Sequence, residues 1–559
     1  MSPSQTATVV PEPPSFSQAA PLPKLTPEYM NQMYPEYLDL VQAQVFFRHG
    51  ERTPVKERLL GTPSWPFCQR ANHLHAEFMK AVGKFVPRQE AMPVPDPQRK
   101  VGDARYTEKT GTLKSGLEYE PAKWSVRLGN SGYESGPDAA TDDKRKTWDP
   151  KACEMGQLSD IGLDTLFRTG SFLRSLYIDK LQLLPPVPDT TSGRLSDWLY
   201  IRTTDYSRVI QSTHALLVGM YPGYPKAAWN GSRTSFNEAF LRLFPIHTRM
   251  HRSETMHGNF GCYNFIKHFI DISVHDAVEL KWIRDIYQQT IALESIGKRA
   301  EEMMAVPHFG SNFHPVYDEL VSLVAHGGEL PEDISMDHME SLGAAAYHQW
   351  TGRSHYTQDQ RLGFGRLVDN VVQTMAQAAA LDSQQSGGER PRIGSQREGD
   401  LLLSPDGVRP PTDGEIPRVP KLALFGGHDV TVGPMSVIMG ANTRQWLPFA
   451  STLTFELFKD KVEQSKQSKQ QQQQQRAKQA DLRRPSSVPR DLDTAGHYVR
   501  VRLNDQVLQV PTCEVPGKHH PAMGSSMCTL AAFFEHLAPV IASEAEFRIE
   551  CGTMPPTEM

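Results

Sequence analysis

The sequence predicts an α/β core with a mostly helical domain inserted into it. Three short apolar runs read as buried strands: Leu38–Phe47, Trp198–Ile201 and KLALFGG at 421–427. Stretches with helical apolar spacing lie on both sides of the second run. Between about 224 and 382 the pattern turns almost wholly helical, which marks a second domain or lid.

Taken in order, residues 1–33 are proline-rich and lack a basic segment followed by a continuous apolar one, so they read as a flexible leader. The core is expected to span 34–223 and 417–559. Within it, the polar stretch 87–150, with SGYESGPDAATDDKRKTWDPKA, reads as a surface insertion. In GQLSDIGLDTLFRTGSFLRSLYI, the residues Leu163, Leu166, Phe167, Gly170, Leu173 and Tyr177 fall on one helical face. After the second strand, Thr203, Thr204 or Asp205 can cap a helix whose stripe is Val209, Ile210, Thr213, Leu216, Leu217 and Met220. DAVELKWIRDIYQQTIALESI and GRLVDNVVQTMAQAAALD are helices of the 224–382 domain, and 383–416 reads as a mobile linker. PFASTLTFELF and HYVRVRLNDQVLQVP have strand character, the second turning at Asn504-Asp505. Between them, the Gln/Lys-rich segment 460–492 has no apolar pattern and is expected to be a disordered bulge from a hairpin tip.

Composition removes several function classes. A hydrophobic content of 39%, with 8 Trp and 24 Phe, supports a sizeable core. The net charge of −5 provides no basic field for nucleic acid or an anionic membrane. No apolar run approaches the roughly 18 residues that span a bilayer. The six cysteines (Cys68, Cys153, Cys262, Cys513, Cys528, Cys551) form no CxxC pair, which argues against zinc ribbons, redox motifs and a dense disulfide framework. A local Cys513–Cys528 bridge stays open. His73 with His75, His247 with His251, and His519 with His520 each lack a spaced third ligand, so no metal is expected. The absence of a clear signal segment favours an intracellular location, and the oligomeric state has no sequence signature.

The chemistry gathers where the strands stop. VQAQVFF ends abruptly in Arg48-His49-Gly50-Glu51-Arg52, the second run ends in Arg202, and the third in His428-Asp429. In α/β sheets, ligands bind beyond the carboxyl ends of the strands. If the three strands are adjacent and parallel, three arginines and two histidines surround one pocket. Such a cluster repels itself unless a dianion sits inside, and phosphate matches guanidinium forks. His49 is then placed to attack phosphorus, with the arginines stabilising the equatorial oxygens. Asp429 is the natural proton donor to the departing alcohol. The arginines supply the positive field, so no metal or cofactor is called for. Arg208, one helical turn further on, is read as an ion-pair partner outside the site, and Glu51 as facing outward toward Lys56 or Arg58.

These residues carry a resemblance. RHGERTP resembles the RHGxRxP signature of the histidine acid phosphatases, and GHD resembles their second, HD signature. LYIRTTDYSR is similar to the arginine segment between them, and GQLSDIGLDTLFRTGSFLR to the helix before that segment. The spacing around QLSDIG, YIRTTDYSRVIQSTHALLVGMY and HDVTVGPM is most similar to the lysophosphatidic acid phosphatase branch. The resemblance covers about 36–60, 155–225 and 418–545, in the right order. It implies a three-layer, phosphoglycerate-mutase-like α/β core with a helical domain inserted after the second strand. It also implies a metal-independent acid phosphomonoesterase acting on a small or lipid phosphate ester. His49 would become phosphohistidine, Arg48, Arg52, Arg202 and His428 would hold the phosphoryl group, and Asp429 would act as general acid. The alternatives are a phytase-like inositol-phosphate phosphatase and a non-catalytic phosphate-binding relative; His428-Asp429 weighs against a mutase. Related secreted phosphatases carry signal peptides and several disulfides, neither of which this sequence displays clearly.

Overall fold

The structure, a computed structural model, describes residues 19–55, 59–60, 65, 68–72, 153–187, 198–222, 244, 246–249, 254–258, 262–268, 280–306, 310–386, 419–441, 445–461 and 492–552. The expected insertion at 87–150 and most of 383–416 and 460–492 lie outside these residues, as do Lys56 and Arg58.

The first apolar run is strand β1 (Leu38–Arg48), and the second is β2 (Leu199–Thr203), with a two-residue neighbour β3 (His247–Thr248). The third is β4 (Leu422–Gly427). After it come β5 (Thr452–Asp460), β6 (His497–Leu503), β7 (Gln506–Val507), β8 (His519–His520) and β9 (Gly524–Thr529). All nine join one sheet in the order β8-β9-β6-β5-β1-β4-β2-β3, with β7 paired to β6. Strand β4 lies between β1 and β2 and runs parallel to both, with Arg48 opposite Gly427 and Thr203 opposite Gly426. The carboxyl ends of the three runs therefore open side by side. Strands β5, β6 and β9 extend the sheet antiparallel, and Asn504, at φ 54°, turns with Asp505 between β6 and β7.

Strand alternation sends side chains into two helical layers. The helices in chain order are α1 (Pro27–Met33), α2 (Asp160–Leu173) and α3 (Ser207–Met220). There follow α4 (Lys281–Ile291), α5 (Gly297–Met304), α6 (His314–Ala325), α7 (Met336–Thr351) and α8 (Thr357–Ser386). The last are α9 (Asp429–Ile438), α10 (Leu530–Leu537) and α11 (Glu544–Cys551). Val45, Phe47, Ile201 and Leu424 pack against Leu163, Leu166, Leu216 and Leu217 of α2 and α3. Phe46, Tyr200 and Phe425 point the other way, toward Val371 of α8, Met435 of α9 and Phe533 of α10. The result is a sheet filled on both faces, in three layers.

Helices α4 to α7 build a separate core around Ile283, Met304, Phe313, Leu320, Met339 and Leu342. Helix α8 behaves differently from the 224–382 expectation: its Leu367, Val371 and Met375 belong to the sheet core, and it continues to Ser386, into the stretch read as linker.

The leader expectation also needs correcting at its end. Residues 27–33 form α1, whose N-terminus is capped by the Thr26 hydroxyl. The Tyr29 hydroxyl donates to Asp505 Oδ1 (2.6 Å), and the Tyr34 hydroxyl to Glu456 Oε1 (2.6 Å). Glu456 is buried and shared by Arg500 Nη2 (2.8 Å) and Arg502 Nη2 (3.1 Å). A buried carboxylate demands such partners. A seven-residue helix has little stability of its own, so its signal lies in these distant contacts.

The six cysteines pair as Cys68–Cys153, Cys262–Cys551 and Cys513–Cys528. Only the last had a local signature. The other two span 85 and 289 residues, and nothing in sequence spacing announces partners that only the fold brings together.

Candidate active site

Beyond Arg48 the chain crosses the end of the sheet between α2 and α3. The Gly50 N–H donates to Ser212 Oγ of α3 (3.2 Å), and the Glu51 carbonyl accepts from the Ser159 N–H (3.0 Å) at the start of α2. His49, held in this turn, is 1% exposed. Its Nδ1 lies 2.8 Å from the Gly50 carbonyl oxygen. A carbonyl only accepts, so Nδ1 carries the hydrogen and Nε2 keeps its lone pair. Burial holds the imidazole well below the ordinary histidine range, and the charges of Arg208, Arg52 and Arg48 push the same way. The ring is neutral, the form a nucleophile requires.

His428 caps α9 at the end of β4, and its ring centroid is 5.5 Å from that of His49. Its Nε2 lies 2.9 Å from the Thr204 hydroxyl. That hydroxyl was a candidate helix cap; instead α3 begins after Tyr206 with no side-chain cap, and Thr204 serves His428. Burial pushes His428 well below its ordinary range too, aided by Arg208, His257, Arg52 and Arg48. Asp429 opens α9, with Oδ2 2.7 Å from Arg48 Nη2.

The arginines are individually braced. Arg48 donates from Nη1 to the Leu447 carbonyl (2.5 Å), and its guanidinium lies 4.2 Å over the Phe449 ring. Arg52 forms a two-point fork with Asp318 of α6, at 2.7 and 3.1 Å. Burial works to raise the Asp318 pKa, but Arg52, His314 and hydrogen bonds from Arg52 and the Val55 N–H outweigh it and hold the carboxyl at about 2.

Arg202 is buried on β2, where its Nη2 donates to Glu254 Oε1 (2.5 Å) and Thr255 Oγ1 (3.1 Å). Glu254 Oε1 also takes the N–H groups of Thr255 and Met256, each at 2.7 Å. Arg202 thus braces the segment that presents His257, whose ring is 6.3 Å from that of His428. Arg208, which the sequence reading left outside the site, lies close to the two histidines. Its guanidinium lies 4.9 Å over Tyr206, a ring 4.8 Å from His428, and its charge acts on both histidines more than any other.

Glu51 does not face outward. It is buried against α2, with Oε1 accepting from the Thr165 hydroxyl (3.1 Å), and burial raises its pKa. Its side chain is thus held on the α2 side of the turn. Residues with no motif of their own complete the wall: Glu254 and His257, His314 and Asp318 of α6, and Trp446. Among the described residues, no group of three or more His, Cys, Asp or Glu side chains is placed to hold a metal ion, and no helix is long and apolar enough to cross a membrane.

Residues 39–307 match the family model described as Histidine phosphatase superfamily (branch 2). Counting factor 60 of Dictyostelium discoideum is 24% identical over 373 residues, 64% of this chain and 75% of that protein. A Schizosaccharomyces pombe protein named as a probable acid phosphatase is 23% identical over 524 residues, 89% and 91% of the two chains. Lysophosphatidic acid phosphatase type 6 of Mus musculus is 22% identical over 305 residues, 54% of this chain and 58% of that protein. Among solved structures, Hafnia alvei phytase in complex with tartrate aligns with 93% of this chain and 100% of its own, at 14% identity and a TM-score of 0.46.

Proposed function

We propose that this chain, which belongs to the histidine phosphatase superfamily, is an acid phosphomonoesterase working through a phosphohistidine at His49. The observation that carries the reading is the Nδ1–H bond from His49 to the Gly50 carbonyl, which leaves Nε2 unprotonated amid a ring of arginines. Nε2 attacks phosphorus, the N–P bond forms, and the ester P–O bond breaks. Asp429, protonated beforehand, gives its proton to the departing alcohol oxygen. Its carboxylate then takes a proton from the water that attacks the phosphohistidine, releasing phosphate and restoring both groups. Arg48, Arg52, Arg208 and His428 hold the phosphoryl oxygens, and their charge does the work a metal ion would otherwise do. Arg202 is a positioning residue in this scheme.

A single phosphate suits the charge balance. Of the arginines given to the phosphoryl oxygens, Arg52 is already matched by the buried Asp318 carboxylate, and Arg48 lies against Asp429. A polyphosphorylated ring calls for surplus positive charge, so the inositol-phosphate alternative is less favoured than a small or lipid monoester. The three cysteine pairs suit an oxidising compartment.

The test is phosphoryl trapping. Wild-type enzyme quenched during turnover of labelled nitrophenyl phosphate should retain acid-labile, base-stable label, with activity unaffected by EDTA. The His49→Ala protein should fold normally, trap nothing and turn nothing over. Normal turnover by that variant ends the proposal.

A further inference from the structure

His314 is the first residue of α6, and no sequence motif singles it out. Its ring lies between two indoles, with centroids 5.2 Å from Trp446 and 5.8 Å from Trp350. Trp446 itself stands 5.8 Å from the Arg48 guanidinium. The charges of Asp318, Asp429, Arg52 and Arg48 all act on the imidazole. The ring therefore stands beside the phosphate cluster and within the influence of its general acid. It is half-buried, and neither of its nitrogens has a hydrogen-bond partner among the described residues. The buried Trp446 Nε1–H, in the same wall, has none either.

Packing between indoles requires only a flat ring, whereas an imidazole also carries a donor and an acceptor that a bound molecule can use. Burial lowers the His314 pKa from its ordinary value, and a neutral imidazole offers one donor and one acceptor. An alcohol hydroxyl is the complement to that pair. Because Asp429 protonates the ester oxygen, the carbons next to that oxygen leave past Asp429, on the side where Arg48 bonds it at 2.7 Å and Trp446 links Arg48 to His314, at 5.8 and 5.2 Å.

We propose that His314 contacts the leaving group, hydrogen-bonding a hydroxyl on the carbon adjacent to the ester carbon. The favoured substrates are then monophosphates of vicinal diols, such as glycerol, sugars or monoacylglycerols. This rests on the phosphatase reading above.

The test compares glycerol 3-phosphate with n-propyl phosphate, the same three-carbon ester without hydroxyls. Wild-type kcat/KM should favour the glycerol ester by about tenfold or more, the size of one well-made hydrogen bond. His314→Phe, which keeps the stacking, should reduce that preference by about tenfold, and His314→Gln, which keeps a donor and an acceptor, should recover much of it. An unchanged ratio in His314→Phe, however far both rates fall, overturns the proposal and leaves the phosphatase reading standing. Should the Phe variant not fold, a wild type that hydrolyses both esters equally overturns it just as well. A wild type that hydrolyses neither ester, nor nitrophenyl phosphate, brings down both readings together.

Discussion

Gly50 and Gly162 meet backbone to backbone where the His49 turn packs on the first turn of α2. A Cβ on Gly50 would lie 2.4 Å from the Gly162 carbonyl oxygen, and one on Gly162 would lie 2.3 Å from the Glu51 carbonyl oxygen. Neither backbone can yield without moving the turn that holds His49. Gly162→Ala is expected to lose about 1–3 kcal/mol of stability, as overpacked sites do, and to lower kcat. Thermal unfolding and nitrophenyl phosphate kinetics read both effects. Wild-type values for each would mean the contact is looser than the structure has it.

Acid should spare the nucleophile while eroding the fold. His49 and His428 are both held well below 6.5, by burial first and by Arg208 next. The unfolded chain protonates these rings near pH 6.5, and the folded chain only at lower pH. Their contribution to stability is thus complete above 6.5 and is lost as pH falls toward the folded values. Over the same interval His49 stays unprotonated, so the acid limb of kcat/KM should break well below 6.5. A limb breaking at 6.5 would contradict the burial argument.

Asp429→Asn separates the general acid from the binding site. Alkyl phosphates, whose leaving group needs a proton, should slow by about 10²–10⁴-fold. Nitrophenyl phosphate, whose leaving group departs as an anion, should slow far less. Equal losses on both substrates would argue that Asp429 acts only by orienting Arg48, to which it is bonded at 2.7 Å.

The two arginines of the YIRTTDYSR segment should fail differently. Arg208→Ala removes the charge acting most strongly on both histidines and is expected to cost about 10²–10³ in kcat. Arg202→Ala leaves Glu254 as an unpaired buried carboxylate, which is strongly destabilising, so its signature is a fall in unfolding temperature. A Glu254→Gln partner change should restore part of that loss. If Arg202→Ala instead keeps its stability and loses phosphate affinity, the assignments of Arg202 and Arg208 are reversed.

The sequence by itself determined the α/β class, the three short strands and the placement of Arg48, His49, Arg52, His428 and Asp429 at their ends. Each of those signals is local: an apolar run, a helical stripe, or a motif of a few adjacent residues. Tertiary structure alone decided where the two arginines of the middle segment lie. Arg202 shares a strand face with Tyr200 and is drawn to Glu254, whereas Arg208 sits on the first turn of α3, beyond the strand end. It also decided that Glu51 turns inward, that α1 docks, and that Asp318, His257, His314 and Trp446 complete the wall. These residues come from segments up to several hundred positions apart, and their roles depend on facing charges and stacked rings that no local pattern encodes.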